Sequence, residues 1–346
     1  MKTRFWLTAL GVTALVGIQT ATMTLVNPAA TLAASLEDQL DIQPNNAAEG
    51  ASRDVADEWM AVGNQKRTEG AYDQAIAAWQ EAAGIYQTLG DTQGQARAYS
   101  AISTTFAILG DYPQAEQAIR QRIAIARDSD DFIGASYGLN NLGTLYLNRG
   151  RLNPAQEIYT EALQLAQRAD HNGSVGLSLS NLGLVALQQE DYETAAELLE
   201  SAANYRYLAG DYLGEANSSN TLGDVYMALG RDNNAIGAYR VALRAGAEAD
   251  ARALQLRAID GLLEIYFERQ AWQTVLEYLN QRRELTLAAT EPDVQTAVTL
   301  RWLGDYYSIQ GDVTAAEQAY SRGLGLARLL ENPALEAELT NRILAL

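Results

Sequence analysis

The chain of 346 residues has no cysteine, a single histidine (His171), four phenylalanines and six prolines. Each shortage excludes something. Without cysteine there is no disulfide framework, no thiolate nucleophile and no thiolate metal site. It also excludes the lipid-modified form of a bacterial envelope protein, which needs a cysteine where its leader is cut. One histidine cannot supply a clustered imidazole site, and His171 sits beside Asn172-Gly173 in what reads as a solvated loop. The acidic stretch Asp128-Ser129-Asp130-Asp131 lacks the glycine and the glutamate of a calcium-binding loop. No glycine-rich phosphate loop is present. The residues therefore name no catalytic group, no metal and no cofactor.

Basic residues are scarce too. There are 25 Lys and Arg against 43 Asp and Glu, a net charge of −18. Such a charge opposes nucleic acid and anionic lipid surfaces and favours a basic partner or plain solubility. The acids are scattered rather than in blocks, so solubility is the simpler reason.

Acidic residues are absent before Glu37. Lys2 and Arg4 precede an apolar run from Phe5 to Ile18, and small residues follow at Ala29, Ala30, Ala33 and Ala34. This is the layout of a secretory signal at residues 1–34, cut after Ala33 or Ala34. The rival reading is an uncleaved anchor over residues 5–26, but its threonines and Gln19 make it a poor bilayer span. An exported chain without cysteine fits a bacterial periplasm or exterior. Residues 35–53, with Pro44, Asn45, Asn46 and Gly50, read as a flexible linker. Asn172-Gly173-Ser174 and Asn217-Ser218-Ser219 match the glycosylation sequon by coincidence.

Beyond the linker a ruler of 40 residues appears: Gly70, Gly110, Gly150, Glu190, Gly230, Gln270 and, after one inserted residue, Gly311. Other columns keep the same step. Seven residues before the turn stand Gly63, Ser103, Gly143, Gly183, Gly223, Leu263 and Gly304. Five after it stand Ala75, Ala115, Ala155, Ala195, Ala235, Val275 and Ala316; nine after it, Trp79, Ile119, Tyr159, Leu199, Tyr239, Leu279 and Tyr320. Leu139, Leu142, Gly143 and Tyr146 lie at i, i+3, i+4 and i+7, one face of a helix, and Ala155, Ile158, Tyr159 and Ala162 form a second. A repeated helix pair that cannot bury its apolar face alone must stack on copies of itself. A glycine inside a helix costs roughly 1 kcal/mol against alanine, so the recurring helix glycine predicts a close approach by the partner helix.

The order large, small, aromatic, turn glycine, alanine, aromatic, alanine resembles the tetratricopeptide repeat, whose pattern is W-x2-L-G-x2-Y, then G, then A-x3-F/Y-x2-A. Copy three carries it as Leu139, Leu142, Gly143, Tyr146, Gly150, Ala155, Tyr159 and Ala162. The resemblance covers about residues 54–346. It implies an all-α solenoid of seven helix-turn-helix repeats over residues 54–332, closed by a capping helix at 333–346. Propeller repeats of similar length need four strands per copy, and other helical repeats lack the small-residue columns. The period of 40 resembles the longer subtype of kinesin light chains and spindle-orientation adaptors and predicts a longer second helix or inter-repeat loop. Copy six departs most, with Leu263, Gln270, Val275 and Arg282 in place of small residues and an insertion near Thr290-Glu291-Pro292-Asp293. Local repacking is the plain reading; a bend or a partner surface around Trp272, Arg282 and Arg283 is the sharper one.

In this family the first helices line a concave docking groove. The resemblance thus implies exposed groove positions at Tyr137, Asn140, Asn141 and Thr144, at Ser180 and Asn181, at Asn217, Asn220 and Asp224, at Arg257, Asp260 and Glu264, and at Arg301 and Asp305. An amide both donates and accepts, so it can pair with a peptide backbone whatever its side chains. Asn141-Leu142-Gly143 and Asn181-Leu182-Gly183 resemble the N-L-G motif of peptide-holding adaptors. The alternative is that these amides only meet water. The family's clamp for C-terminal carboxylates needs paired Lys and Asn, and the matching positions hold Met60, Ser100, Asn140 and Ser180, so it is not carried over. Asp260, Glu264 and Asp305 give the C-terminal part an acidic character suited to a Lys- or Arg-bearing segment. The expectation is an exported scaffold that binds a protein or peptide, with no nucleic acid, and a membrane only through an uncleaved N-terminus.

Overall fold

The structure is a computed structural model that describes residues 51–287 and 293–346. The expected export segment, most of the expected linker, and residues 290–292 of the expected insertion lie outside the described residues. The described part forms fifteen helices and no strand. They come as consecutive pairs: α1 (Ala51–Thr68) with α2 (Tyr72–Leu89), α3 (Thr92–Ile108) with α4 (Tyr112–Asp128), α5 (Phe132–Asn148) with α6 (Leu152–Arg168), and α7 (Asn172–Gln188) with α8 (Tyr192–Leu208). Then follow α9 (Tyr212–Ala228) with α10 (Asp232–Glu248), α11 (Arg252–Glu268) with α12 (Trp272–Leu287), α13 (Val294–Ile309) with α14 (Val313–Leu329), and a last helix, α15 (Pro333–Leu344). Helix α1 starts at Ala51, so the last three residues of the expected linker are helical. No described helix is long and apolar enough to cross a membrane.

The period of 40 is two equal halves. Most helices have 17 residues, separated by three-residue turns. A left-handed residue therefore recurs every 20 positions: Gly70, Gly90, Gly110, Asp130, Gly150, Asp170, Glu190, Gly210, Gly230, Asp250 and Gln270. The extra length expected of the second helix or its loop is instead shared by both halves. At each stop the next amide reaches back to a carbonyl of the finished helix, as Asp111 N to Phe106 O at 2.9 Å and Arg231 N to Tyr226 O at 2.8 Å. That closes the orphan carbonyls of the helix end. The following residue then starts the next helix. Asp91, Asp111, Asp131, Asp191, Asp211 and Asp312 each accept from the backbone N–H three residues on. Asp130 and Asp131 of the acidic stretch are thus a turn residue and a cap. His171 does the same for α7, its Nδ1 accepting from Ser174 N at 3.1 Å.

The chain divides within α6, between Ile158 and Tyr159, into two compact units. In the first, α1 to α5 pack each on the next. Its core joins Ala75, Ile76, Trp79 and Ala83 of α2 to Ala98 and Ile102 of α3 and Ala118 of α4. In the second, a larger core runs from Ala186 to Trp302 through Leu199, Tyr239, Leu262 and Leu279. The small column is fully buried in all seven repeats, at 0 % exposure for Ala75, Ala115, Ala155, Ala195, Ala235, Val275 and Ala316. A larger side chain there would part the helices.

The helix glycine receives the residue nine after the turn of its own repeat. A Cβ built on Gly183 would lie 2.8 Å from Leu199 Cγ, too close without movement. Gly223 likewise faces the ring of Tyr239, whose other side lies against Gly261 of the next repeat. Leu335 and Leu339 of α15 close the second unit by packing on Ala297, Ala316, Tyr320 and Ala327, as a terminal repeat requires.

Candidate binding surface

Within the second unit the first helices of neighbouring repeats touch, α7 with α9 and α9 with α11. The face on which helices crowd is the inner face of a curved stack, so the inner wall of this unit is made of first helices. The predicted residues on it fall into two classes, already used and still open.

The amides are mostly used. Asn181 and Asn220 are buried. Asn220 Nδ2 donates to Leu254 O at 3.1 Å, tying α9 to α11. Asn217 is half-buried, and its Nδ2 donates to Leu213 O of its own helix at 3.1 Å. On α5, in the first unit, Asn140 is buried and donates to Ser136 O at 3.0 Å. Asn141 is half-buried; its amide oxygen accepts from Arg122 Nη1 at 2.8 Å and its nitrogen faces Tyr137 O at 3.3 Å. The expectation that all these amides are exposed is therefore corrected for Asn140, Asn181 and Asn220. A polar residue beside the core stripe is covered when the next first helix approaches closely.

The acids divide similarly. Asp224 accepts from Tyr239 Oη at 2.6 Å and from Arg257 Nη2 at 2.5 Å. Asp305 is buried and accepts from Tyr320 Oη at 2.7 Å, from Arg342 at 2.5 Å and from Arg301 at 3.1 Å. Burial still pushes its carboxyl above the ordinary range, against the opposing pull of Arg342 and Arg301. The Arg301 guanidinium also stands 4.2 Å from the Trp302 ring centroid. Asp260 is half-buried and accepts from Arg282 Nε at 2.8 Å and Trp302 Nε1 at 2.8 Å.

Glu264 is the exception. Repeats five and seven set an acid six residues before the turn against a tyrosine nine after it, Asp224 with Tyr239 and Asp305 with Tyr320. Repeat six sets Glu264 against Leu279, which has no hydroxyl. Glu264 is exposed and makes no ion pair among the described residues. Enclosure by the surrounding protein, then the Asp260 and Asp224 carboxylates, raise its carboxyl above the ordinary value.

Arg282 is not a partner surface. It is completely buried, bonded to both oxygens of Asp260, to the carbonyl and side chain of Gln295, and to Thr299. At Arg282 the departure of repeat six is local repacking.

Residues 56–128 and 135–206 match the tetratricopeptide repeat family. Those residues carry tetratricopeptide repeats. Solved structures agree on the fold. The STAND protein PH0952 from Pyrococcus horikoshii, with a tetratricopeptide repeat sensor, superposes with a TM-score of 0.63 at 15% identity, over 82% of this chain and 43% of its own. A Rap protein complexed with competence and sporulation factor gives 0.51 at 12% identity, over 94% and 84%. BtubC (BKLC) from P. vanneervenii gives 0.50 at 20% identity, over 64% and 89%. No match was found among curated protein sequences. The tetratricopeptide fold supports a protein–protein interaction scaffold.

The sequence reading missed Arg122, which is buried like Arg282. A signal was present: twelve residues after the turn stand Ala82, Arg122, Ala162, Ala202, Ala242, Arg282 and Gly323. Two arginines break that column, not one.

Proposed function

We propose that the protein is an exported, non-enzymatic scaffold of the 40-residue subtype, holding a peptide or protein segment against its first helices. The observation that carries this is the inner wall of the second unit. Touching first helices there carry Asn217, Asp224, Arg257 and Glu264 at or near the surface, and the core behind them is filled. A rigid wall of this kind binds by pre-organisation, because the partner alone loses freedom. The Rap neighbour solved with competence and sporulation factor supports binding by this fold. Asp260 and Asp305 are neutralised within the chain, so the preference for a Lys- or Arg-bearing partner narrows to Glu264.

The test is photo-crosslinking in cells from probes at Asn217 and Glu264, with a control at the exposed Val241 of α10. Partner adducts from the first two sites and none from the third support the reading. Adducts from Val241 alone would reverse it. For export, N-terminal sequencing should find a mature start near Ser35. An intact N-terminus would favour the second reading, a membrane-tethered assembly or secretion factor held by residues 5–26.

A further inference from the structure

Arg122 of α4 and Arg282 of α12 occupy the same place in their repeats, 160 residues apart. Both are buried, at 4 % and 0 % exposure. Around Arg282 the cradle consists of Asp260 on the first helix of its repeat, and Gln295 and Thr299 on the first helix of the next. At the three matching positions around Arg122 the chain has Ser100, Gly134 and Gly138. The carboxylate, the amide and the hydroxyl are all missing. The room left at Gly138 is taken by Ile123. Beside Gly134 a cavity of about 70 Å³ opens between α3, α4 and α5, several times the roughly 10–15 Å³ that one water needs.

The cavity wall holds Arg97, Arg122, Ile125, Asp131, Gly134 and Tyr137. The Asn141 amide is the acceptor Arg122 finds. Asp131 uses Oδ1 to cap Gly134 N at 2.8 Å and makes no ion pair with Arg122. Arg97 lies 3.9 Å from Asp57 and 5.9 Å from the Tyr86 ring centroid, and its Nε and Nη2 are buried with no hydrogen-bond partner among the described residues. Burial pushes Arg122 down to about 10, so it is still a cation at neutral pH. The Asp131 carboxylate on the cavity wall offsets part of this charge without bonding to Arg122. A buried cation with no bonded counter-charge is costly, and a carboxylate accepting two parallel N–H bonds is the strongest common remedy.

We propose that this cavity is a carboxylate-binding site, in which an acidic ligand takes beside Arg122 the place that Asp260 fills beside Arg282. The carboxylate comes from a small organic acid or from an acidic residue of a bound chain. One carboxylate suits the space and the precedent; a phosphate dianion would meet Asp131 with only two arginines to hold it. The proposal does not depend on the inner wall of the second unit.

The test uses the full chain in buffer of constant ionic strength, titrated calorimetrically with succinate, with a capped Gly-Gly-Glu-Gly-Gly peptide, and with inorganic phosphate. One of the two carboxylate probes should saturate at one per chain, and the better probe identifies the source. Arg122→Ala places the residue common to four other repeats in the column and should weaken binding at least tenfold. Ser100→Asp rebuilds the internal partner, and should abolish binding while raising Tm. Saturation by phosphate in preference to both carboxylates, no saturation by either, or unchanged carboxylate binding in Ser100→Asp would overturn the proposal.

Discussion

Repeat two and repeat six both place an arginine where five other repeats keep a small residue, yet the two sites behave differently. Arg282 is enclosed by Asp260, Gln295 and Thr299, and the insertion after α12 follows directly. Arg122 has an amide partner and a cavity. The difference does not lie in the arginine. It lies in three neighbours, one on the first helix of the same repeat and two on the first helix of the next. In a stack of near-copies, the meaning of a buried charge is set by the adjoining copy.

The largest expected effect comes from exchanging each arginine for the column's usual residue. Arg282→Ala strips Asp260 of its counter-charge and opens a void. Breaking a buried pair costs roughly 3–5 kcal/mol, with the lower end expected because Asp260 keeps some solvent contact. Arg122→Ala should cost nothing or stabilise. Urea unfolding of the two variants measures the contrast, and equal losses would erase it.

Next is the helix glycine that repeat six replaces with Leu263, which is fully buried. Gly183→Leu imports that feature into repeat four, where Leu199 already fills the notch. Overpacking of this kind costs about 1–3 kcal/mol, read as a lower denaturation midpoint. A neutral result would show that the regular repeats yield as easily as the sixth.

A smaller effect tests the turn. Gln270 sits at φ 54° where most repeats have glycine. Gln270→Gly relieves that strain without touching Arg282, though glycine loses more freedom on folding. The net gain should stay below about 1 kcal/mol. A larger gain would locate the weakness of repeat six in its turn.

The smallest concerns Glu264, the acid without its tyrosine. Its folded-state pKa lies above the ordinary 4.5, so the folded chain holds this proton more tightly than the unfolded one. The contribution is fully present below pH 4.5 and is lost as pH rises through the folded value. Glu264→Gln removes that loss, and should raise Tm slightly at pH 7 and leave it unchanged at pH 4. A raised Tm at both would point to packing rather than charge.

Much of the wall was legible residue by residue, and much was not. Asn217, Asp224, Arg257 and Glu264 lie at or near the surface, as the offset from the core stripe suggested. Asn140, Asn181 and Asn220 do not; Asn220, for one, is held by Leu254 of the adjoining repeat. Asp260 and Asp305 read as open acids, but their partners are Arg282, 22 residues away, and Arg342, 37 away. Arg122 stood in plain view in a column of alanines.

The amino-acid order alone determined the helix pair, its seven copies, the turn positions and the capping helix. Those depend on local signals: a glycine that can turn left-handed, an aspartate that can cap, apolar residues at helical spacing. Tertiary structure alone decided which polar groups are open, which are neutralised, and where a cavity stands. Hydrogen bonding and desolvation act between side chains that meet only when neighbouring helices close on each other.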